Sequence, residues 1–345
     1  MAPPFHKALI IGKFQPLHKG HLALIDFAAR QAETVLVCAA AHPGEPIPLE
    51  QRVDWLKESY KNLENIAVQG ISYDPARLNP SSVSDLKSSE QWADYLREVL
   101  EGFAETDVIV GSELYVKYMA DYLGIHYLIY DEPRKKLPIS ATAIKSDPIR
   151  YWDYLSPAAK HTYAKHICIC GSESTGKSTT CKTLEQQYPF VTMIPEIGRC
   201  LVGKSEICAS TTLQKIFSIH HDLLEAVLSD PPPPIALWDT DNITTLSYFH
   251  YLYPEREQNE ITQGKKILTA GKYFFFESNI PLEDDGTRLS ANEALALRTH
   301  HLKQYAEQGI HPDIVTSKER CEVVRRHILS EIEQLKKAFK PQSES

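Results

Sequence analysis

Gly171-Ser-Glu-Ser-Thr-Gly-Lys-Ser178 is the stretch that decides the fold of this chain. It follows an apolar run at residues 167–170, which has the length of a buried strand, and it leads into a helical segment that continues through Leu184. A glycine-rich turn between a strand and a helix presents backbone N–H groups and the positive end of the helix dipole to a phosphate. The pattern G-x-x-x-x-G-K-[ST] in this setting predicts a P-loop.

The last two residues of this loop have predicted roles in binding ATP. Lys177 is expected to reach the β- and γ-phosphates, and Ser178 to coordinate Mg²⁺. The predicted ATP-binding residues here are Gly171, Ser172, Glu173, Ser174, Thr175, Gly176, Lys177, Ser178 and Thr179.

Short apolar runs alternate with helical segments on both sides of the P-loop. Candidate strands lie at 8–11, 34–40, 107–110, 126–130, 167–170, 191–194, 235–238, 273–276 and 314–315, and candidate helices at 92–100, 113–123 and 318–339, with a loop at 79–89. Leu22, Ile25 and Ala29 are spaced as one helix face. The alternation predicts an α/β fold with two doubly wound parallel-sheet domains, residues 1–158 and 159–345.

The charge, the cysteines and the apolar runs of the chain argue against several classes of protein. The chain has 345 residues, a net charge of -8 and seven cysteines. An acidic chain has no global positive field for nucleic acid, and scattered cysteines in odd number argue against a disulfide framework or a zinc knuckle. No apolar stretch approaches the ~20 residues that cross a bilayer, and the first residues carry no signal core. We therefore predict a cytoplasmic protein that binds neither nucleic acid nor membrane.

A second candidate phosphate site is Gly12-Lys-Phe-Gln-Pro-Leu-His-Lys-Gly-His21, which also joins a strand to a helix. Gly20 lets the backbone approach a ligand closely. His18 and His21 are three residues apart and can face one side of the first helical turn, where they could donate hydrogen bonds to a triphosphate. By spacing alone, metal binding or helix capping remain alternatives.

The whole string resembles the GxFxPxHxGH signature of nucleotidylyltransferases, in particular the nicotinamide mononucleotide adenylyltransferase branch. Ile139-Ser-Ala-Thr-Ala-Ile-Lys145 is similar to the second signature of that family, ISxTxIR. The resemblance implies that ATP binds Gly12, Lys13, Phe14, His18, His21, Ser140, Thr142 and Lys145. The family has an arginine at the position of Lys145. Lysine keeps the charge but lacks the planar guanidinium that donates paired hydrogen bonds to phosphate oxygens.

The resemblance also implies a reaction, in which a mononucleotide phosphate attacks the α-phosphorus of ATP and pyrophosphate leaves. Positioning and charge neutralisation by His18, His21, Lys13 and Lys145 would suffice for this step, with Mg²⁺ bound to the ATP. Relatives often present a tryptophan to the nicotinamide ring near the position of Trp92, although packing is an alternative role.

Three strings in the second half resemble the ribosylnicotinamide kinase half of the bifunctional NadR family. They are Pro195-Glu-Ile-Gly-Arg199, Trp238-Asp-Thr-Asp-Asn-Ile-Thr-Thr245 and Asp284-Asp-Gly-Thr-Arg288, which match EYGRD, DTDFVTT and ADGLR in the same order. The resemblance implies a Rossmann-like nucleotidylyltransferase followed by a P-loop kinase. The implied small molecules are ATP, nicotinamide riboside, nicotinamide mononucleotide and NAD.

Acidic and basic residues of these strings have implied roles in the kinase. Glu196, Asp239 and Asp241 are candidates for the base, for Mg²⁺ and for the ribose, with Glu196 placed as a base and Asp239 as a Mg²⁺ ligand alongside Ser178. Arg199 and Arg288 are candidates to stabilise the transferring phosphoryl group. The predicted nicotinamide-substrate residues are Trp92, Glu196, Arg199, Asp239 and Asp241.

Other functions are compatible with parts of this pattern. A bifunctional coenzyme A synthase also joins a nucleotidylyltransferase to a P-loop kinase, and the first domain could have been reduced to a ligand-binding module. Some NadR proteins carry a DNA-binding helix-turn-helix before the first domain, whereas the first strand here starts near residue 8, so we expect no repressor function. The sequence does not decide whether the chain forms a homo-oligomer.

Overall fold

The protein folds into two compact units in the computed structural model. The structure describes residues 3–79, 85–171, 173–201, 209–277, 291–316 and 318–340, without the side chains of residues 199, 200, 291, 292 and 294. The first unit comprises Met1–Thr162 and Glu333–Ser345, and the second comprises Tyr163–Ile332.

The first unit contains a five-stranded sheet with the order β3-β2-β1-β4-β5, in which every neighbouring pair is parallel. The strands are β1 Phe5–Gly12, β2 Ala32–Ala41, β3 Ile66–Ser72, β4 Val108–Gly111 and β5 His126–Ile129. The helices are α1 Lys19–Gln31, α2 Leu49–Tyr60, α3 Leu86–Val99, α4 Tyr115–Leu123, α5 Ala141–Ser146 and α6 Pro157–Tyr163, with 3-10 turns at Phe103–Glu105 and Trp152–Tyr154. The strand order reverses between β1 and β4, and such a switch point opens a crevice at the carboxyl ends of the strands.

The central strand of this sheet is apolar on both faces because helices cover both. Residues 8–11 of β1 are all buried. Leu9 and Ile11 belong to a cluster with Trp92 of α3 and Val116 of α4. Parallel strands buried on both sides have continuous apolar runs, which explains why β1 lacks the alternation of a half-exposed strand.

The second unit contains another five-stranded parallel sheet, with the order β10-β9-β6-β8-β7. Its strands are β6 Lys165–Gly171, β7 Val191–Ile194, β8 Ile235–Asp239, β9 Lys272–Phe276 and β10 Asp313–Val315. Its helices are α7 Lys177–Gln187, α8 Gly198–Leu201, α9 Ser210–Ser229, α10 Asn242–Leu252, α11 Gln258–Thr262, α12 Ala291–Glu307 and α13 Arg320–Ala338. The residues of α13 from Glu333 onward are counted in the first unit. The central strand β6 leads directly into the P-loop.

Cysteine and aromatic side chains form much of the core of the second unit. Cys168 and Cys170 pack in one cluster with Trp238 of β8, Phe275 of β9 and Tyr305 of α12. Both cysteines are free and buried, and burial raises the pKa of the Cys168 thiol well above its ordinary value. These thiols therefore serve as small apolar side chains.

The predicted fold class is confirmed, and all nine predicted strands are present. β3, which carries a polar Gln69 and a glycine, was not predicted. Of the predicted face of α1, Ile25 is buried and Leu22 and Ala29 are half-buried, and the fully buried residues of the helix are Leu24, Ile25 and Ala28. The predicted loop at 79–89 ends earlier, because Asp85 caps α3 by accepting a 2.8 Å hydrogen bond from the Ser88 amide.

No helix within the described ranges combines the length and the apolar character that spanning a membrane requires.

Truncation of a buried β6 side chain tests the importance of this core. Ile169 is 0% exposed, whereas Ile219 on α9 is 46% exposed. We expect Ile169→Ala to lower the free energy of unfolding by about 2–5 kcal/mol, since the cavity adds to the lost transfer energy. Ile219→Ala is the matched control, with an expected change within about 0.5 kcal/mol. Urea unfolding followed by circular dichroism measures both, and equal midpoints for the two variants would contradict the assignment of β6 as the centre of the core.

Candidate active sites

A cleft of about 550 Å³ opens at the switch point of the first sheet. Its walls come from the loop after β1, the first turn of α1, the residues after β4 and β5, and the start of α5. The structure thus brings the two strings of the first half together, although they are far apart in the chain. All eight predicted ATP-binding residues of this half line the cleft: Gly12, Lys13, Phe14, His18, His21, Ser140, Thr142 and Lys145.

The two histidines of this cleft form a stacked pair. Their ring centroids are 3.7 Å apart, and Phe14 contacts the edge of the His21 ring. His18 is the N-cap of α1, where its Nδ1 accepts a 3.1 Å hydrogen bond from the Gly20 amide. A Cβ at Gly20 would lie 3.0 Å from the His18 ring, so glycine is needed for this packing.

Both histidines are neutral at neutral pH. Burial lowers the pKa of His18 to about 4, and the positive charge of Arg134 acts in the same direction. Burial, His18 and Arg134 together hold the pKa of His21 well below its ordinary value. Because Nδ1 of His18 accepts a hydrogen bond, its ring proton resides on Nε2, which is then a neutral donor. The pair can donate hydrogen bonds to a phosphate but contributes no net charge.

Lys13 is held by a charged network at the edge of the cleft. Glu45 lies 3.0 Å from the Lys13 ammonium and 2.7 Å from the Arg52 guanidinium. Burial alone would raise the pKa of Glu45, but the hydrogen bond from Lys13 and the charge of Arg52 outweigh it and lower the pKa. Arg52 is 0% exposed and donates to the carbonyls of Lys13 and Ile47. Arg52 therefore positions the Lys13 backbone, as a structural residue.

The second string contributes a cap and a cation to the cleft. The Ser140 hydroxyl accepts a 3.1 Å hydrogen bond from the Ala143 amide and so begins α5. Thr142 is exposed on the first turn of that helix. Burial and the charge of Lys13 lower the pKa of Lys145, which reflects two ammonium groups in the same cleft. The arrangement suits an anion with several charges.

Trp92 is placed away from this cleft. Its ring is 2% exposed and packs edge-on against Tyr73 and Tyr95, while its indole N–H donates a 2.9 Å hydrogen bond to the Asn79 carbonyl. No face of the ring is open to a ligand in this structure. The geometry corrects the predicted stacking role and gives Trp92 the alternative role, packing of α3.

Three of the described residues of the P-loop are closely constrained by their surroundings. Gly171 has φ +111°, and a Cβ there would lie 2.4 Å from the Phe276 carbonyl oxygen, so only glycine fits. Lys177 is buried at the start of α7, with its ammonium 2.9 Å from the Gly171 carbonyl. The Ser178 hydroxyl is buried and has no hydrogen-bond partner among the described residues. Ser172 lies outside the described residues.

The two aspartates after β8 have different surroundings. Asp239 ends the strand, is 1% exposed and pairs in register with Ile169 of β6, close to the P-loop. Asp241 is 0% exposed and caps α10, accepting hydrogen bonds from the Thr244 amide at 2.9 Å and from the Tyr305 hydroxyl at 2.7 Å. Burial raises the pKa of Asp241 to about 6 despite these bonds. The Asp241 carboxylate serves as a helix cap in this structure, and its predicted substrate contact stays a prediction.

Glu196 follows β7 and is half-buried. The Tyr248 hydroxyl donates a 2.9 Å hydrogen bond to Glu173 of the P-loop, and burial together with the charges of Glu173 and Glu196 raises the pKa of Tyr248 well above its ordinary value. Glu196 therefore lies near the P-loop, since its charge and that of Glu173 act on the same tyrosine. The predicted roles of the Arg199 side chain and of Arg288 fall outside the described residues.

Comparison with known proteins agrees with this geometry. The family model described as cytidylyltransferase-like matches residues 9–212, more than half of the chain. The chain belongs to the cytidylyltransferase-like family. A second model, described as an AAA domain, matches residues 166–322 and includes the P-loop.

Two curated relatives are named trifunctional NAD biosynthesis/regulator protein NadR. This chain is 26% identical to the one from Escherichia coli strain K12 and 24% identical to the one from Salmonella typhimurium strain LT2, over 81% of this chain and 71% of each relative. A crystal structure of NadR protein in complex with NR covers 99% of both chains, at 21% identity and a TM-score of 0.48. The resemblance to NadR that the motifs predicted is confirmed by the sequence similarity.

Several residues of the two sites lie outside the sequence motifs and were not predicted. Arg134 and Glu113 line the first cleft from the loops after β5 and β4. In the second unit, His301 of α12 is 1% exposed, contacts the Tyr248 ring, and has no hydrogen-bond partner on either ring nitrogen among the described residues. Only the fold brings these side chains to the sites, since neither charge nor spacing distinguishes them from surface residues.

The buried His301 predicts a pH dependence of stability. Burial, the charge of Lys177 and His300 lower its pKa to about 3, whereas an unfolded histidine titrates near 6.5. Between these values the unfolded chain binds a proton that the folded chain does not, so stability falls as the pH falls from about 6.5 to about 3. We expect His301→Leu to remove up to about 1.4 kcal/mol per pH unit from this decline.

Urea unfolding at pH values from 7 to 4 measures the effect. His6→Gln is the control, because the hydrogen bond that His6 donates to Glu33 raises the pKa of this exposed histidine. The stability that this bond contributes is lost as the pH rises. His6→Gln therefore leaves the acid-side decline in place. Parallel curves for wild type and His301→Leu would show that the imidazole is not held neutral.

Proposed function

We propose that this chain is a bifunctional enzyme of NAD synthesis. Residues 159–345 phosphorylate nicotinamide riboside with ATP, and residues 1–158 transfer an adenylyl group from ATP to the resulting mononucleotide. The observation that carries the proposal is that two separate signature strings line one cleft, while the P-loop occupies the switch point of a second sheet. The names of the NadR relatives, which are NAD biosynthesis proteins, support the choice of substrate.

The adenylyl transfer follows from the charges and donors of the first cleft. A phosphate oxygen of the mononucleotide attacks the α-phosphorus of ATP, and the bond to the β-phosphate oxygen breaks to release pyrophosphate. Neutral His18 and His21 donate hydrogen bonds, and Lys13 and Lys145 neutralise charge on the leaving group. Lys13 needs no movement to do so, because Glu45 and Arg52 already fix it.

The kinase step uses the second site. The 5′-hydroxyl oxygen of the riboside attacks the γ-phosphorus, ADP leaves, and the hydroxyl proton passes to a carboxylate, for which Glu196 is the candidate. Ser178 offers a buried hydroxyl without a partner among the described residues, and Asp239 offers a buried carboxylate. These hard oxygen ligands fit Mg²⁺, which when bound neutralises charge on the β- and γ-phosphates.

Single substitutions separate the two half-reactions. We expect Lys177→Ala to lower riboside phosphorylation by at least about 100-fold and to leave adenylyl transfer to added mononucleotide intact, because its ammonium serves only the P-loop. His21→Ala is expected to do the opposite. Chromatography of reactions with ATP and nicotinamide riboside, in which mononucleotide and dinucleotide are quantified separately, measures both.

Exposed residues of the same two helices provide the controls. Lys182→Ala on α7 and Arg30→Ala on α1 change surface charge without touching either site, and both activities are expected to persist. If His21→Ala makes NAD at the wild-type rate, the assignment of the first cleft is wrong. Phosphopantetheine in place of nicotinamide riboside tests the coenzyme A alternative, which turnover of that compound alone would favour.

A further inference from the structure

Charge is scarce in the first cleft. His18 and His21 are neutral, so the permanent positive charges that line it belong to Lys13, Lys145 and Arg134. Glu45 lies 3.0 Å from Lys13 and offsets part of its charge. Lys145 makes no ion pair with any described residue, but an ammonium group binds phosphate as a point charge without paired, planar hydrogen bonds. A further cation with paired, planar donors would therefore strengthen the binding of a triphosphate here.

Arg134 is placed to be that cation. It lies in the same cleft as both histidines, and its charge lowers the pKa of each of them. Its only ion pair among the described residues is with Glu113, at 3.5 Å, and both side chains are well exposed, at 48% and 38%. An exposed pair at this distance contributes little energy, so a polyphosphate can replace Glu113 as the partner.

The turn that carries Arg134 is held in place by Asp131. The carboxylate of Asp131 accepts hydrogen bonds from the amides of Lys135, Lys136 and Leu137 at 2.9–3.3 Å. The Arg134 amide donates a 2.8 Å bond to the Asp131 carbonyl, and both residues have positive φ, near +50°. Non-glycine residues adopt this conformation only where the surroundings fix it. The guanidinium is therefore presented from an ordered turn.

We propose that Arg134 is a further triphosphate-binding residue of the adenylyltransferase site, which supplies from the β5–α5 turn the paired hydrogen bonds that Lys145 cannot make. The inference rests on the proposed adenylyl transfer. In this proposal the planar group that binds phosphate oxygens comes from the β5–α5 turn, whereas in the family it comes from the second signature string.

Substitution of Arg134 by glutamine tests this assignment, because glutamine keeps a similar length but removes the charge. We expect kcat/KM for ATP in adenylyl transfer to fall about 10- to 100-fold, as when one charged donor is lost from an active site. The inhibition constant of pyrophosphate is expected to rise by a similar factor, with the KM for the mononucleotide changed less than about threefold. Lys135→Gln, which removes the same charge from the neighbouring exposed residue, is the matched control.

Rescue distinguishes phosphate binding from a role in loop structure. Introducing Lys145→Arg into the Arg134→Gln protein restores a planar cation to the cleft, and we expect kcat/KM for ATP to recover by at least about fivefold. Riboside phosphorylation by the same variants reports that the second unit is folded, and retained adenylyl transfer by Lys135→Gln reports the same for the first. Equal effects of Arg134→Gln and Lys135→Gln, or a loss that Lys145→Arg does not reverse, would overturn the inference. A wild-type protein that folds and phosphorylates riboside but does not adenylate mononucleotide would instead overturn the proposed function.

Discussion

The parallel arrangement of the strands is the constraint on which both sites depend. In a parallel sheet every strand ends at the same edge, so loops that are distant in the chain are brought side by side. In the first unit this places the loop after β1 next to the segment from Ile139 to Lys145. In the second unit it places Asp239, at the end of β8, beside β6, which leads into the P-loop. Hydrogen bonding along the strands thus determines which side chains can act on one ligand.

The two units meet the requirement for anion binding by different means. The P-loop relies on backbone conformation, and Gly171 is fixed there by its φ and by its approach to Phe276. The first cleft relies on side chains, with neutral histidines as donors and separate cations for charge. Burial costs a neutral imidazole less hydration free energy than it costs an imidazolium. The histidine pair can therefore stack in the cleft without a carboxylate partner.

Much of the fold follows from the sequence, because strands of a covered parallel sheet are apolar runs with clear ends. Nine strands could be located in this way, whereas β3, with Gln69 and Gly70, has no such run. The motif residues were also predictable, because a glycine turn between a strand and the start of a helix accepts few residue types at each position. Trp92 and Asp241 were assigned to ligands from their positions in the chain, and both are enclosed by neighbours that only the tertiary structure provides. Arg134 could not be found, because nothing in its local sequence separates it from the lysines that follow it.

The buried ion pair between Glu45 and Arg52 has a consequence for how this protein can vary. Arg52 is fully enclosed, and Glu45 is 6% exposed. Loss of Glu45 leaves the buried Arg52 with carbonyl partners only, and loss of Arg52 leaves Glu45 with Lys13. Removing one partner of a buried ion pair costs more than replacing both by apolar residues of similar volume. Homologous sequences are therefore expected to keep both residues or to exchange both together. A sequence with only one of the two is expected to hold Lys13 less firmly at the edge of the first cleft.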